Sequence, residues 1–333
     1  GRRWGEEAEL ATGTERVYAT GWKWWRLFCD CREVPALRWV REATRQEEED
    51  RFLDFVVHLS ANQRLAPGTI KTYLSAVRAH HLAVGCPDPT TGMARLWMAM
   101  DGLKRMYGTP TRKKPVTVRM LRAAKDLLDL DGAGDGLTIW AAILTAFCFL
   151  LRASEYCGGD AAGTDTGKGL RGVDITFKKE GVEVRASEAP DELIICIRGS
   201  KTDQYNRGEI RNHFLSGDAD LCVVTVMARY AMAPPDRYRG EGALLLLFPM
   251  RRGRIAETLV AAGARCGCES GDLGTHSLRI GGASALWNTF RDTALVQRWG
   301  RWTSSAFQGY LWDARALADG VAGMMIAADF ALT

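Results

Sequence analysis

Fifteen consecutive residues, Leu137 to Leu151, carry no charge, and no other stretch constrains the fold of this 333-residue chain as strongly. The run is shorter than the roughly 20 apolar residues that span a bilayer. It is long enough for about four turns of helix, and a helix that is apolar on all sides must be enclosed by protein. A substantial core therefore has to be packed around it. Arg152 follows at once. An arginine at the end of a buried helix is itself partly buried, and a buried guanidinium needs an anionic partner. Glu155, three residues on and so on the same helical face, can supply one. A bound phosphate could supply another.

The length allows two domains, because single cores typically stop growing at about 100 to 200 residues. With 47% hydrophobic and 25% charged residues the composition is that of an ordinary globular protein. Nine cysteines, an odd number, include the pairs Cys29/Cys31 and Cys266/Cys268. Neither pair has the spacing or the second pair of a structural zinc site, so free thiols in a reducing, nuclear or cytoplasmic compartment are expected, with no metal and no cofactor. No apolar signal core stands at the start, and no membrane partner is implied.

The net charge of +4 is distributed unevenly. Residues 61–115 hold nine basic and two acidic side chains, whereas the segments on either side are slightly acidic. That basic region belongs to a helical first domain. Periodicity predicts four helices between about residues 15 and 107, the first with Trp22, Trp25, Leu27 and Phe28 and the second with Phe52, Phe55, Val56 and Leu59 as core residues. The third begins at Pro67-Gly68 and sets Lys71, Ser75 and Arg78 beside an apolar stripe of Ile70, Leu74 and Val77. The fourth carries Lys104 and Arg105. Gly108 to Pro115, with Arg112, Lys113 and Lys114 in succession, reads as an extended basic linker. Each of these cations fits either a solvated surface or a phosphate backbone.

Beyond Val173 the period changes from helical to alternating. Val173–Phe177, Gly181–Val184, Leu193–Ile197 and Glu209–Phe214 read as a small antiparallel sheet. Lys201 lies in the turn between the last two, with Lys178 and Lys179 as rivals in an adjacent turn. Leu221–Met232 and Ile255–Ala264 are expected to be helical, and the leucine run Leu244–Leu247 to be buried. The fold class is therefore mainly α, with a small antiparallel sheet in the second domain.

The stretch from Thr275 to Tyr310 concentrates chemistry-bearing residues. His276 and Arg279 share one helical face, Gly281-Gly282 follow, and Gly300-Arg301-Trp302 forms a turn before Tyr310. Two arginines on the non-bridging oxygens of a phosphodiester would stabilise the charge that builds up during attack. A tyrosine, with a pKa of about 10, needs a base or nearby cations to become a nucleophile. Tyr230 and Tyr238 are rival tyrosines, but neither follows the His-x-x-Arg segment.

In chain order, Arg152-Ala153-Ser154-Glu155, the sheet-turn Lys201, His276-Ser277-Leu278-Arg279-Ile280-Gly281-Gly282-Ala283 and the segment from Gly300 to Tyr310 resemble the tyrosine recombinase/integrase family. Lambda integrase, Cre and the Xer proteins belong to that group, and the motifs here are nearest to those of recombinases from eukaryotic mobile elements. The resemblance implies a helical core-binding, SAM-like DNA-binding domain over residues 1–107, a basic linker over 108–116 and a catalytic domain with a C-terminal tail helix over 117–333. It implies site-specific recombination through a 3′-phosphotyrosyl intermediate without metal or ATP. Tyr310 would be the nucleophile, His276 the base, Arg152 and Arg279 the phosphate ligands, Lys201 the general acid, Glu155 a positioning carboxylate, and Trp302 a donor to phosphate. Trp302 stands eight residues before Tyr310 and Arg301 nine, so either could enter the site. Lys71, Arg78, Lys104, Arg105, Arg112, Lys113 and Lys114 would meet double-stranded DNA carrying a specific site. Four protomers would assemble on two sites, with the apolar tail around Val321, Met324, Met325 and Ile326 docking on a neighbour. A type IB topoisomerase and an inactive DNA-binding relative are the alternative functions.

Overall fold

The computed structural model describes residues 12–37, 44–108, 112–157, 167–199, 208–233 and 240–313, and the chain divides into two compact units, 1–110 and 111–333. The first unit contains α1 (Thr12–Asp30), α2 (Arg45–Val57), α3 (Pro67–Ala83) and α4 (Ala94–Tyr107), with one π-helical turn, His58–Asn62, extending α2. Local chemistry sets these ends. Thr44 and Glu47 form a reciprocal capping box at the start of α2. Pro67 opens α3, and Gly108, with φ of 71°, follows α4.

The core of this unit consists of Trp25, Phe28, Phe52, Phe55, Leu59, Ile70, Leu74, Val77, Leu96 and Met100, with Trp25 stacked on Phe52 at 4.6 Å. Each such side chain contributes about 1.5–3 kcal/mol on burial. Leu27 departs from the predicted core and is 46% exposed, because it lies off the face that Trp25 and Phe28 share.

The second unit opens with α5 (Val118–Lys125), capped by the Thr117 hydroxyl, and α6 (Gly136–Cys148). As the missing charges demand, α6 is enclosed: Ile139, Trp140, Ile143 and Leu144 are all buried. The predicted helix to Leu151 stops at Cys148, however, because Leu150 adopts a left-handed conformation. A single turn, α7 (Ala153–Tyr156), follows.

Next come β1 (Ile175–Lys179), β2 (Val182–Val184), β3 (Glu192–Ile197) and β4 (Glu209–Phe214), an antiparallel sheet in the order β2-β1-β3-β4. Its alternating residues Phe177, Leu193, Ile195 and Ile197 join the core around α6 and α8 (Val223–Met232). Leu247 and Phe248 also join it, but Leu244 and Leu245 are 57% and 56% exposed, so the leucine run is buried only at its end. Leu244 ends a short 3-10 segment, Gly240–Leu244, and its side chain is left on the outside of that turn.

The unit ends with α9 (Arg252–Arg265), α10 (His276–Phe290), α11 (Thr293–Trp299) and a 3-10 segment, Ser305–Tyr310. α10 lies close against two neighbouring backbones at its glycine pair. A β-carbon on Gly281 would stand 2.2 Å from the Val116 carbonyl oxygen, and one on Gly282 would stand 2.2 Å from that of Phe147. The Val116 amide also donates to the Ser277 carbonyl at 3.0 Å. No described helix is long and apolar enough to cross a membrane.

Candidate active site

The site begins where α6 ends. Leu150, with φ of 49°, pays about 1–2 kcal/mol for a left-handed backbone. Its side chain is held in a small core with Ala283, Val296 and Phe307, which keeps that backbone in place. The Leu150 carbonyl then accepts from two arginines: Arg279 through Nη1, and Arg301 through Nη2 at 3.3 Å.

Arg152 and Glu155 form the opposite wall. The Arg152 amide donates to Glu155 Oε2 at 2.8 Å, and its guanidinium Nη1 donates to Oε1 at 2.9 Å. Arg301 donates to the same Oε2 from Nη2 at 2.7 Å. Glu155 is almost wholly buried, and Arg152 is the more open partner.

α10 carries His276 and Arg279 one turn apart. Arg279 is 1% exposed and donates Nη2 to the Gly300 carbonyl as well. Beyond α10, Asp292 caps α11 and Ser304 caps the 3-10 segment that delivers Tyr310. Trp302 folds back over Gly300, where a β-carbon would stand 1.5 Å from its ring. The Trp302 ring faces the Arg279 guanidinium at 4.4 Å and the Tyr310 ring at 5.2 Å. Tyr310 and His276 meet edge to face, with centroids 5.1 Å apart. Ser284 Oγ donates to the Tyr310 carbonyl and accepts from the Trp312 amide, both at 3.1 Å. The backbone on both sides of the tyrosine is thereby tied to α10.

The electrostatics follow from burial and from the cations. His276 lies below the usual imidazole range because of burial first, then Arg279, Arg252 and Arg152. It is therefore neutral at pH 7 and able to accept a proton. Burial, followed by the charges of Arg152 and Arg301, brings Arg279 down to about 9, still protonated at neutral pH. Arg301 is lowered too, chiefly by burial. Three guanidiniums thus stand in the site with one buried carboxylate, Glu155, which pairs with two of them, Arg152 and Arg301. Among the described residues no cluster of His, Cys, Asp or Glu could hold a metal ion.

No protein-family model and no curated protein sequence matches this chain. Solved structures match it by shape. XerH site-specific recombinase bound to a palindromic difH substrate aligns with a TM-score of 0.56 and 14% identity, over 93% of this chain and 79% of that one. A lambda integrase dimer bound to a COC′ core site gives 0.52 and 12%, over 92% and 75%. The Tn1549 transposon integrase in complex with circular intermediate DNA gives 0.51 and 14%, over 92% and 98%. The chain has the tyrosine recombinase fold.

In this tyrosine recombinase fold, Arg152, Glu155, His276, Arg279, Trp302 and Tyr310 come together from α7, α10 and the C-terminal turn, although more than 150 residues separate the first from the last. Lys201 lies outside the described residues. The end of the strand before it is anchored, since Arg198 Nε donates to both Asp174 carboxylate oxygens at 2.8 and 2.6 Å. The rival Tyr230 is a core residue whose hydroxyl donates to the Leu247 carbonyl at 2.6 Å. Tyr238 and the tail residues Val321, Met324, Met325 and Ile326 lie outside the described residues.

The basic residues behave differently in the two units. Lys71 and Arg105 are exposed on α3 and α4. Arg78 pairs with Asp88 at 2.5 Å and Lys104 with Asp101 at 2.8 Å. Arg112, Lys113 and Lys114 are engaged by the second unit: Arg112 with the Leu311 carbonyl, Lys113 with the Gly271 carbonyl, and Lys114 with Asp272 at 2.7 Å.

Two site residues escaped the sequence reading. Leu150 gave no signal, because a left-handed leucine looks like any other. Arg252 donates Nε to the Thr275 hydroxyl at 2.9 Å and adds positive charge at His276. It stands 24 residues before the histidine, with no local pattern linking the two. Arg301 was visible as the residue nine before Tyr310, and it reaches Glu155 rather than the ring of the tyrosine.

Proposed function

We propose that this chain is a site-specific DNA recombinase that cleaves and rejoins DNA through a 3′-phosphotyrosyl intermediate, with no need of metal or ATP. The observation that carries this reading is a tyrosine set edge-on to a neutral histidine, beside three guanidiniums of which two, Arg152 and Arg301, share one buried carboxylate. That excess of positive charge suits a phosphodiester, whose charge grows as a nucleophile attacks.

Arg152 and Arg279 bind the non-bridging oxygens. His276 accepts the phenolic proton while the Tyr310 oxygen bonds to phosphorus. The bond to the 5′-oxygen breaks, and Lys201 supplies that oxygen with its proton. One ester replaces another, so a second 5′-hydroxyl can attack the phosphotyrosyl link and reverse the step with no external energy source. Trp302 covers Arg279 and borders Tyr310, keeping water from both.

The partner is double-stranded DNA with a specific site, bound by a tetramer across two sites. Lys71, Arg78, Lys104 and Arg105 approach phosphates from the first unit, and Arg112, Lys113 and Lys114 from the second. Exposed ion pairs such as Arg78–Asp88 contribute only about 0–1 kcal/mol, so exchange for a phosphate costs little.

A nicked suicide substrate from the ends of the parent element tests the reading. The wild type should give a covalent protein–DNA adduct and Tyr310→Phe none. Absence of an adduct with the wild type, or its persistence in Tyr310→Phe, would overturn it.

A further inference from the structure

We infer that Arg301 is a positioning residue that neutralises Glu155, leaving Arg152 free to present its full charge to a phosphate. The inference rests on the reading of the site as a phosphodiester-cleaving centre.

The argument starts from what each group can reach. The side chains of Glu155 and Arg301 are 1% and 5% exposed, whereas Arg152 is 20% exposed. Arg152 is therefore the member of this trio that an incoming DNA strand meets. Arg301 spends Nη2 on Glu155 and on the Leu150 carbonyl. Its Nε and Nη1 are shielded from solvent and have no hydrogen-bond partner among the described residues. No nitrogen of Arg301 is left facing outward. A φ of 57° turns it inward, while the next residue, Trp302, lies across Arg279. The adjacent pair thus divides two jobs between the interior and the face of the site.

Charge explains why such an interior cation is needed. Glu155 fixes Arg152 through two hydrogen bonds, and a carboxylate so close would also cancel much of the charge that Arg152 offers a phosphate. Arg301 supplies the compensating positive charge from behind. Glu155 then orients Arg152 without discharging it, and the site keeps an excess of two positive charges, matched to a phosphodiester that becomes more negative during attack. Two unpartnered nitrogens are the cost.

The test compares Arg301→Gln with the double variant Glu155→Gln/Arg301→Gln. In the single variant the carboxylate is left without its interior partner and discharges Arg152, so adduct formation on saturating suicide substrate should fall by about 100-fold, as if the Arg152 contact to the transition state had been lost. In the double variant the carboxylate charge is gone as well, and the rate should return to within about tenfold of wild type. A double variant no faster than the single one would mean that Arg301 acts on DNA directly, and would overturn the proposal; so would an unchanged rate in Arg301→Gln. Should Arg301→Gln not fold, Arg301→Lys takes its place: retention of charge should keep the rate within about tenfold of wild type, and a larger loss would count against the proposal. Stabilisation by inorganic phosphate, read as a shift in Tm, gives a second measure that needs no catalysis. It should shrink in Arg301→Gln and recover in the double variant even if no adduct ever forms, which separates failure of this proposal from failure of the proposed function.

Discussion

Arg112 donates Nη2 to the backbone carbonyl of Leu311 at 3.0 Å, and its guanidinium faces the Trp312 ring at 4.9 Å. A residue of the basic segment that precedes α5 thereby grips the two residues after Tyr310. Asp313 extends the grip, accepting from the Trp287 indole at 2.7 Å and from Arg291 at 3.2 Å.

Arg112→Ala should therefore slow cleavage itself as well as weaken DNA binding. A hydrogen bond of this kind contributes about 0.5–1.5 kcal/mol, so single-turnover adduct formation at saturating DNA should fall by about two- to tenfold. Were Arg112 purely a phosphate ligand, the salt dependence of binding would flatten by about one counterion while the saturated rate stayed constant.

The acid limb of the pH profile is the second expectation. Burial and the cations Arg279, Arg252 and Arg152 hold His276 below the ordinary imidazole value of about 6.5. Adduct formation should rise with pH through a midpoint below that value, and Arg252→Gln should move the midpoint upward. Stability follows with a defined sign: below about pH 6.5 the unfolded chain binds a proton that folded His276 resists, so stability falls as pH drops through that window. His276→Asn should lose less stability there than the wild type. A wild-type midpoint above 6.5 would contradict this account.

Trp302 supplies the third. A cation–π contact contributes about 0.5–2 kcal/mol, so Trp302→Ala should slow adduct formation by about 2- to 30-fold, and Trp302→Phe should retain most of the wild-type rate. A Phe variant as slow as the Ala variant would instead point to a role for the indole N–H.

Much of this arrangement was legible in the residues because it is local. The charge-free run announced α6, alternation announced β1 to β4, and three-residue spacings placed Arg152 beside Glu155 and His276 beside Arg279. What escaped depends on contacts between distant backbones. Nothing in the letter for leucine reveals that the Leu150 carbonyl collects two guanidiniums, because acceptors on the main chain are common to every residue. The exposed Leu244 misled for the converse reason: an apolar letter reports a preference for burial, while a tight 3-10 turn decides which side chains obtain it.

The glycine pair on α10 gives the site its internal scale. Gly281 and Gly282 come directly after the turn that bears His276 and Arg279, and each lets the helix press against a foreign carbonyl, Val116 on one side and Phe147 on the other. Phe147 lies three residues before Leu150. The spacing between the arginine-bearing helix and its anchoring carbonyl is thus set by two absent methyl groups. One added at either position would wedge the halves of the site apart, removing no reactive atom but parting those on α10 from Arg152 and Glu155.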